Sequence, residues 1–226
     1  MTSTKRISHP DLLQYFRAVF NAVDVPPHVA EIEAEIGAEV DLCGVHSHGA
    51  QLLPMVVKAI QDGITNPDPK FEIIEERAAT VLADTRCGIG RYVSAIGMDM
   101  AVDRAEEYGI GAVAIRGVAH WGRGHSYALR AARDGMIGIA FTNTLSNFPA
   151  WGTGEPTLGN NPMAIGVPAG DQDPVVLDIA MTQTAIGTIM SKAAAGERVP
   201  FGWGLDEEGN PTDEPNAILK SRRFQP

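Results

Sequence analysis

The feature that most constrains the fold is a change of hydrophobic pattern near residue 69. Before it, apolar residues recur at helical spacing in 12–20, again after the prolines at 26–27, and again in 51–61. After it, short runs rich in β-branched residues alternate with amphipathic stretches. The pattern predicts a helical region over 1–68, followed by an α/β region over 69–226.

Caps and chain-breaking residues predict the element boundaries. Ser8 and Asp11 have the spacing of a capping box, while Gly63 and Gly109 end the third and fourth helices. Predicted strands cover 70–76, 80–84, 111–116, 136–142, 163–167 and 174–179, and later helices cover 93–108, 126–133 and 182–195. A loop rich in Gly, Pro and Asn spans 143–162. After residue 209 the sequence shows no pattern of a closing helix or strand, so we expect a chain shorter than the functional protein.

The charge balance restricts the partners. Lys and Arg number 18 against 28 Asp and Glu, giving a net charge of −10, which argues against nucleic acid or an anionic membrane. The first ten residues lack the apolar run of a signal peptide, and no stretch is long enough to span a bilayer. Cys43 and Cys87 have no CxxC partner, which favours two reduced thiols. These features predict a cytoplasmic protein.

The densest group of chemically active residues is Gly44-Val-His-Ser-His-Gly49, at a break between predicted helices. His48 could act as a general acid and base supported by Ser47. Alternatively, His46 and His48 form the metal pair of a metal-dependent hydrolase, although no third ligand lies at a suitable spacing. The segment could also be a plain polar turn. All three interpretations stay open on the residues alone.

A second group lies between a predicted strand and a predicted helix, in 116–125. Gly122 and Gly124 would expose backbone N–H groups at a helix N-terminus and Arg123 adds a positive charge, a combination suited to phosphate. The glycine spacing is not GxGxxG, so it does not predict a Rossmann fold. Further along, Asp178 ends an apolar strand, where a carboxylate binds a ribose hydroxyl, pairs with a histidine or caps a helix.

Five segments, in this order, resemble the type-2 malate/L-lactate dehydrogenase family, which includes ureidoglycolate dehydrogenase, sulfolactate dehydrogenase and piperideine-2-carboxylate reductase. They are GVHSHG, the run from GIGRYVSAIG to GMIGIAFTN, PAWGTGEPTLGNNPMAIGVP, VVLDIA and FGWGLDEEGNPTDEP. The resemblance extends over nearly the whole chain. Several independent motifs in the right order make it far more specific than any single glycine pattern.

The resemblance implies an α/β (α+β) fold. A helical domain, here 1–68, packs on a non-Rossmann α/β domain with a mixed, largely antiparallel sheet, here 69–226, that holds NAD or NADP. It also implies a homodimer. The helical domain of relatives includes a C-terminal part, so we expect this chain to be C-terminally truncated, with both domains incomplete.

The resemblance also implies roles for individual residues. His48 with Ser47, and His120, match the catalytic positions. Positions that contact the cofactor in the family correspond to His120, Gly122, Arg123, Gly124, Thr144, Asp178, Ile179 and Ala180. Asn160 and Asn161 lie in a turn beside the substrate. The implied reaction transfers a hydride between NAD(P) and C2 of a small 2-hydroxy or 2-oxo acid, or of a cyclic imine acid, while a histidine moves the proton; no metal is expected.

Two positions depart from the family pattern. Relatives carry an arginine that pairs with the substrate carboxylate five residues after the motif serine, where this chain has Leu52. An aliphatic side chain cannot replace a bidentate guanidinium, so either Arg91 or Arg123 serves instead or the substrate differs. Relatives also commonly carry a lysine where Thr188 follows Gly187. A non-catalytic or impaired relative that binds only nucleotide is therefore the alternative.

Overall fold

The structure is a computed structural model that describes residues 6–150, 153 and 155–225. Its chain divides into two compact units, one comprising Met1–Gly138 with Gly166–Val176 and the other comprising Ile139–Ile165 with Leu177–Pro226. This division differs from the predicted boundary between residues 68 and 69. The predicted boundary concerns the domains of the whole protein, and it stays a prediction.

Helices and strands alternate after a helical start. The helices are α1 (His9–Asn21), α2 (Pro27–Leu42), α3 (Leu53–Gln61), α4 (Gly90–Tyr108), α5 (His125–Arg133), α6 (Ile186–Ala195) and α7 (Pro215–Ser221). The strands are β1 (Glu72–Arg77), β2 (Thr80–Gly88), β3 (Ala112–Val118), β4 (Gly138–Phe141), β5 (Phe148–Pro149), β6 (Pro156–Leu158), β7 (Met163–Ala169), β8 (Gln172–Ile179), β9 (Gly204–Leu205), β10 (Pro211–Thr212) and β11 (Arg223–Phe224). Single 3₁₀ turns cover His46–His48 and Ala50–Leu52. This mixture confirms the predicted α/β class.

The first three helices follow the hydrophobic pattern of the sequence. The Ser8 hydroxyl caps α1 by accepting the Asp11 N–H at 3.3 Å, as the capping spacing predicts. Phe16 and Phe20, one helical turn apart, are fully buried and form a core cluster with apolar residues of α2 and α3. These contacts fix the two ends of the segment that carries His46 and His48, because that segment joins α2 to α3.

A mixed three-stranded sheet, in the order β1-β2-β3, determines where His120 lies. Strands β1 and β2 are antiparallel, whereas β2 and β3 are parallel and are joined by α4. The carboxyl ends of β2 and β3 therefore lie at one edge, where Ala119 N–H donates to Gly88 O at 2.9 Å. A Cβ on Gly90 would lie 2.2 Å from the His120 carbonyl oxygen, so the start of α4 requires glycine at this position.

The remaining strands form three small sheets, in the orders β4-β7-β8, β5-β6 and β10-β9-β11. Strands β5 and β6 lie within the predicted loop 143–162, and residues 151, 152 and 154 of that loop lie outside the described residues.

The expectation that no closing element follows residue 209 is wrong. Helix α7 begins with Pro215, a residue that favours the first helical turn, and β11 pairs antiparallel with β9. Both elements are short and the apolar residues of α7 are consecutive, so periodicity could not indicate them. Ile218 and Phe224 are nevertheless buried in a cluster with Phe148, Ile189 and Val199.

Within the ranges that the structure describes, no helix combines the length and the apolar composition that crossing a bilayer requires.

Candidate active site

The segment that carries the two motif histidines is held by the carboxylate of Asp41 in the last turn of α2. Its Oδ1 lies 2.9 Å from Nδ1 of His46, and its Oδ2 accepts the Ala50 N–H at 2.6 Å. A Cβ on Gly49 would lie 2.3 Å from this carboxyl group. Glycine at 49 therefore allows the backbone to wrap around the carboxylate.

Ser47 and His48 form a pair within this segment. Ser47 Oγ lies 2.9 Å from Nδ1 of His48, and both residues are half-buried. This contact engages Nδ1, one of the two ring nitrogens of His48. The hydrogen bond also limits rotation of the ring, which is what a group that transfers a proton requires.

His46 and His48 do not form a metal site. The His46 side chain is 73% exposed and directed at Asp41, whereas Nδ1 of His48 is directed at Ser47. Among the residues that the structure describes, no cluster of three or more His, Cys, Asp or Glu could hold a metal ion. The metal-dependent hydrolase is therefore not supported.

A buried ion pair lies behind His48. The side chains of Arg91 on α4 and Glu33 on α2 are 3% and 2% exposed, with Nη1 and Oε2 3.5 Å apart. Arg91 Nη2 donates to the His48 carbonyl oxygen at 2.9 Å, and Glu33 accepts the Tyr92 N–H at 2.8 Å. Burial raises the pKa of Glu33, and the positive charge of Arg91 opposes that shift.

His120 faces His48 from the segment between β3 and α5. The two ring centroids are 6.1 Å apart. The Gly122 N–H donates to Nδ1 of His120 at 3.1 Å, so the neutral ring carries its proton on Nε2. Desolvation by nearby protein atoms, followed by the charges of His48 and Arg91, lowers the pKa of His120 to about 4, although the residue as a whole is exposed to solvent.

A cavity of about 120 Å³ opens beside His120. Glu33 and Arg91 lie on its polar side. Its other lining residues are mainly aliphatic and include Leu52, Met55, Val56, Ala59 and Ile89.

The turn after His120 fits an anionic group. Gly122 takes φ 80°, a conformation that other residues rarely adopt, and a Cβ there would lie 3.2 Å from Nε of Arg91. Gly124 directly precedes α5, whose first N–H groups have no partner within the helix. Arg123, between these two glycines, adds a positive charge in a chain of net charge −10.

The other predicted site residues form a cluster within the second unit. Thr144 Oγ1 donates to Oδ1 of Asn160 at 2.7 Å, and Thr144 N–H donates to Oδ1 of Asn161 at 3.3 Å. Asn161 takes φ 33°, and a Cβ on Gly159 would lie 2.4 Å from Thr144 Oγ1. This turn is therefore built for close approach of backbone and side chains.

The end of β8 lies at the same turn. Met181 N–H, immediately after Ala180, donates to Asn160 O at 2.8 Å. Asp178 is half-buried and Ile179 is 50% exposed. The structure thus brings Thr144, Asn160 and the 178–180 segment together.

Sequence reasoning missed Asp41 and did not assign a role to Glu33. A signal for Glu33 was present, because it lies at helical spacing with the apolar residues Val29, Ile36 and Val40, on the face of α2 that packs inward. A carboxylate on such a face needs a partner. That partner, Arg91, is 58 residues away, so spacing alone could not identify it.

Comparison with known proteins identifies the family. The sequence profile of the malate/L-lactate dehydrogenases matches residues 7–226. The chain belongs to this family. The resemblance that the motifs indicate is thereby confirmed.

Relatives from several organisms are similar to this family member over nearly its whole length. A 2,3-diketo-L-gulonate reductase from Citrobacter koseri is 34% identical, covering 98% of this chain and 66% of the relative. The crystal structure of a malate dehydrogenase from Entamoeba histolytica aligns with a TM-score of 0.94 at 32% identity, covering 97% of this chain and 61% of that one. A Δ1-piperideine-2-carboxylate reductase from Pseudomonas syringae pvar. tomato aligns with a TM-score of 0.92 at 29% identity, covering 99% and 67%.

The malate/L-lactate dehydrogenase relatives are longer than this chain. The chain spans 65–66% of the length of the 2,3-diketo-L-gulonate reductases that it matches. Their names describe reductases and dehydrogenases that act on different small acids. The named relatives therefore share a type of reaction and differ in substrate.

Proposed function

We propose that the protein is an oxidoreductase that transfers a hydride between NAD(P) and C2 of a small 2-hydroxy or 2-oxo acid, or of a cyclic imine acid. The observation that carries the proposal is the pair of imidazoles of His48 and His120, 6.1 Å apart. A substrate oxygen, or an imine nitrogen, placed between them meets a group that moves a proton and a group that donates a hydrogen bond.

His48 is the proton-transfer group. Its Nδ1 lies 2.9 Å from Ser47 Oγ, and we assign Nε2 as the atom that exchanges the proton with the substrate. During oxidation Nε2 accepts the hydroxyl proton, and during reduction it returns that proton to the oxygen or nitrogen. Ser47 keeps the ring oriented through both steps.

His120 is the neutral hydrogen-bond donor. Its pKa of about 4 keeps the ring uncharged at neutral pH, and the Gly122 N–H on Nδ1 leaves the proton on Nε2. A neutral imidazole held in this tautomer polarises a carbonyl without itself taking up a charge. The arrangement supports a division of labour in which His48 changes protonation state and His120 does not.

Two groups of residues are proposed to contact a nicotinamide dinucleotide, as the family resemblance implies. Gly122, Arg123 and Gly124 would hold phosphate at the start of α5, and Thr144, Asp178, Ile179 and Ala180 would hold the rest of the cofactor. NAD or NADP, when bound, supplies or accepts the hydride. Asn160 and Asn161 would orient the substrate.

We further propose a cytoplasmic homodimer that acts on a small molecule and requires neither nucleic acid nor membrane. Exposed apolar side chains on β4 and β8 support association, since Phe141 is 74% exposed and Val175 is 68% exposed. Light scattering coupled to size-exclusion chromatography gives the mass in solution, and a monomer over the working concentration range would refute the dimer.

The proposed reaction is tested by nucleotide binding and turnover. Fluorescence of Trp121, adjacent to His120, reports titration with NADH and NADPH, and absorbance at 340 nm reports their oxidation with a panel of 2-oxo acids and cyclic imines. We expect a fluorescence change with one nucleotide and turnover that His48→Gln lowers about 10²- to 10⁴-fold, while nucleotide affinity changes little. Binding without turnover in the wild type would favour the nucleotide-binding relative that Leu52 suggests, and no response to either nucleotide would contradict both.

A further inference from the structure

The cavity beside His120 is shaped by residues that the proposed proton transfer does not use. Its volume is about 120 Å³ and one wall is aliphatic, formed by Leu52, Met55, Val56, Ala59 and Ile89. For comparison, an apolar cavity of about 150 Å³ in another protein binds benzene. The space therefore suits a small hydrocarbon group.

The polar side of the cavity does not favour a second anionic group of the substrate. Arg91 already donates to the His48 carbonyl oxygen at 2.9 Å, and its charge is balanced by Glu33, with both side chains at most 3% exposed. A carboxylate entering the cavity would lose its hydration and would face the carboxyl group of Glu33. Oxaloacetate and sugar acids, which carry charged or hydroxylated tails, are therefore poor occupants.

Covering the exposed apolar surface of the cavity wall would be favourable in free energy. Met55 is 49% exposed and Leu52 is half-buried, so a hydrocarbon group between them removes apolar area from water. Leu52 supplies apolar contact to this wall and, being uncharged, offers an anionic group no ion-pair partner.

We propose that this cavity receives the aliphatic side chain of the substrate, so that the enzyme prefers 2-oxo or 2-hydroxy monocarboxylic acids with a tail of about three to five carbons. The inference rests on the proposed function, since it names the substrate class of the same reaction. His48 and His120 act on the oxygen or nitrogen bonded to C2, and the aliphatic wall selects the side chain that C2 carries.

The first test compares kcat/KM for pyruvate, 2-oxopentanoate, 4-methyl-2-oxopentanoate and oxaloacetate. Each buried methylene is worth about fourfold, so the two additional methylenes of 2-oxopentanoate should raise its kcat/KM above that of pyruvate by about fifteenfold, and oxaloacetate should fall below both. Equal or higher kcat/KM for oxaloacetate would overturn the inference while leaving the proposed function intact.

Two variants distinguish the effect of filling the cavity from the effect of introducing a larger side chain elsewhere in the protein. Ala59→Leu fills the cavity and should remove the advantage of the longer acids while pyruvate is still reduced. Ala194→Leu, at an exposed position of α6, is the matched control and should retain the full preference. The same preference in both variants would show that the tail binds elsewhere, provided that thermal unfolding shows both proteins folded.

A binding measurement makes the inference independent of turnover. Labelling the methyl carbon of the eight methionines gives NMR signals, of which Met55→Leu identifies one. We expect the Met55 signal to shift saturably with 4-methyl-2-oxopentanoate and not with oxaloacetate. If this shift occurs and no acid is turned over, the subsite stands and the proposed function fails. Absence of the shift would overturn the subsite in either case.

Discussion

Two carboxylates of the same helix hold the histidine segments, and they do so in opposite environments. Glu33, 2% exposed, pairs with Arg91 across the core, whereas Asp41, 11% exposed, pairs with His46, which is 73% exposed. A buried charge that loses its partner is costly, while an exposed ion pair contributes little. The comparison predicts that Glu33 governs stability and that Asp41 governs the local shape of the catalytic segment.

The largest expected effect is that of Glu33→Ala. It leaves the Arg91 guanidinium buried without a counter-charge and should lower the free energy of unfolding by about 3–5 kcal/mol. Urea denaturation followed by far-UV circular dichroism measures the loss. Glu33→Gln, which retains an acceptor for the Tyr92 N–H, is the control and should cost less. A loss in the free energy of unfolding no larger than that caused by His46→Gln would contradict the predicted difference between Glu33 and Asp41.

Gly49→Ala should have an intermediate effect. Its Cβ would lie 2.3 Å from the Asp41 carboxyl group, so the segment that carries Ser47 and His48 must shift. We expect a loss of about 1–3 kcal/mol, with a fall in kcat as the histidine moves. The double variant Gly49→Ala/Asp41→Ala removes the steric conflict, so the two effects should not add when measured in a double-mutant cycle. Strict additivity would show that the carboxylate does not shape the segment.

His46→Gln should have a small effect. It removes only the exposed ion pair with Asp41 and leaves the Ala50 N–H hydrogen bond in place. We expect at most about 1 kcal/mol and unchanged activity, measured by thermal denaturation and steady-state kinetics. A large loss of activity would give His46 a role in the reaction and would revive the alternative in which both motif histidines act together.

The effect that is smallest at neutral pH is that of His120 protonation, because it changes stability only below about pH 6.5. Its pKa falls from 6.5 to about 4 in the folded protein, so between these values the unfolded chain binds more protons. Stability from this group is complete above pH 6.5 and is lost as pH falls towards 4. NMR titration of the ring protons, with the signal assigned by His120→Gln, should show this lowered pKa, and Arg91→Gln should raise it. An ordinary pKa near 6.5 would contradict the site electrostatics.

The sequence predicts most helices because their apolar faces are periodic. Phe16 and Phe20 indicate α1 directly, and the Ser8 cap marks its start. Helix α7 was not predicted because seven residues give too little periodicity. Its burial also depends on contacts with Phe148 and Phe224, which are far apart in the chain. Local pattern thus accounts for elements that are long and amphipathic, and not for those stabilised by distant contacts.

The residues of the candidate site also fall into two groups: those that short sequence segments indicate and those that only distant contacts reveal. His48 and His120 could be selected because histidine and glycine cluster in short segments, and the family motifs gave them roles. The Glu33–Arg91 pair could not be derived, since it joins α2 to α4 across 58 residues. The sequence shows that Leu52 departs from the family pattern. Its place in an aliphatic cavity, however, depends on how α3 packs against the start of α4.

The central claim, hydride transfer to C2 with His48 moving the proton, is tested most directly by isotope transfer. The protein is incubated with [4,4-²H₂]NADH or its NADPH counterpart and 4-methyl-2-oxopentanoate, and the product is examined by NMR. We expect a 2-hydroxy acid carrying deuterium at C2, formed at least about a hundredfold more slowly by His48→Gln. A product without deuterium at C2, or equal rates for the two proteins, would contradict it.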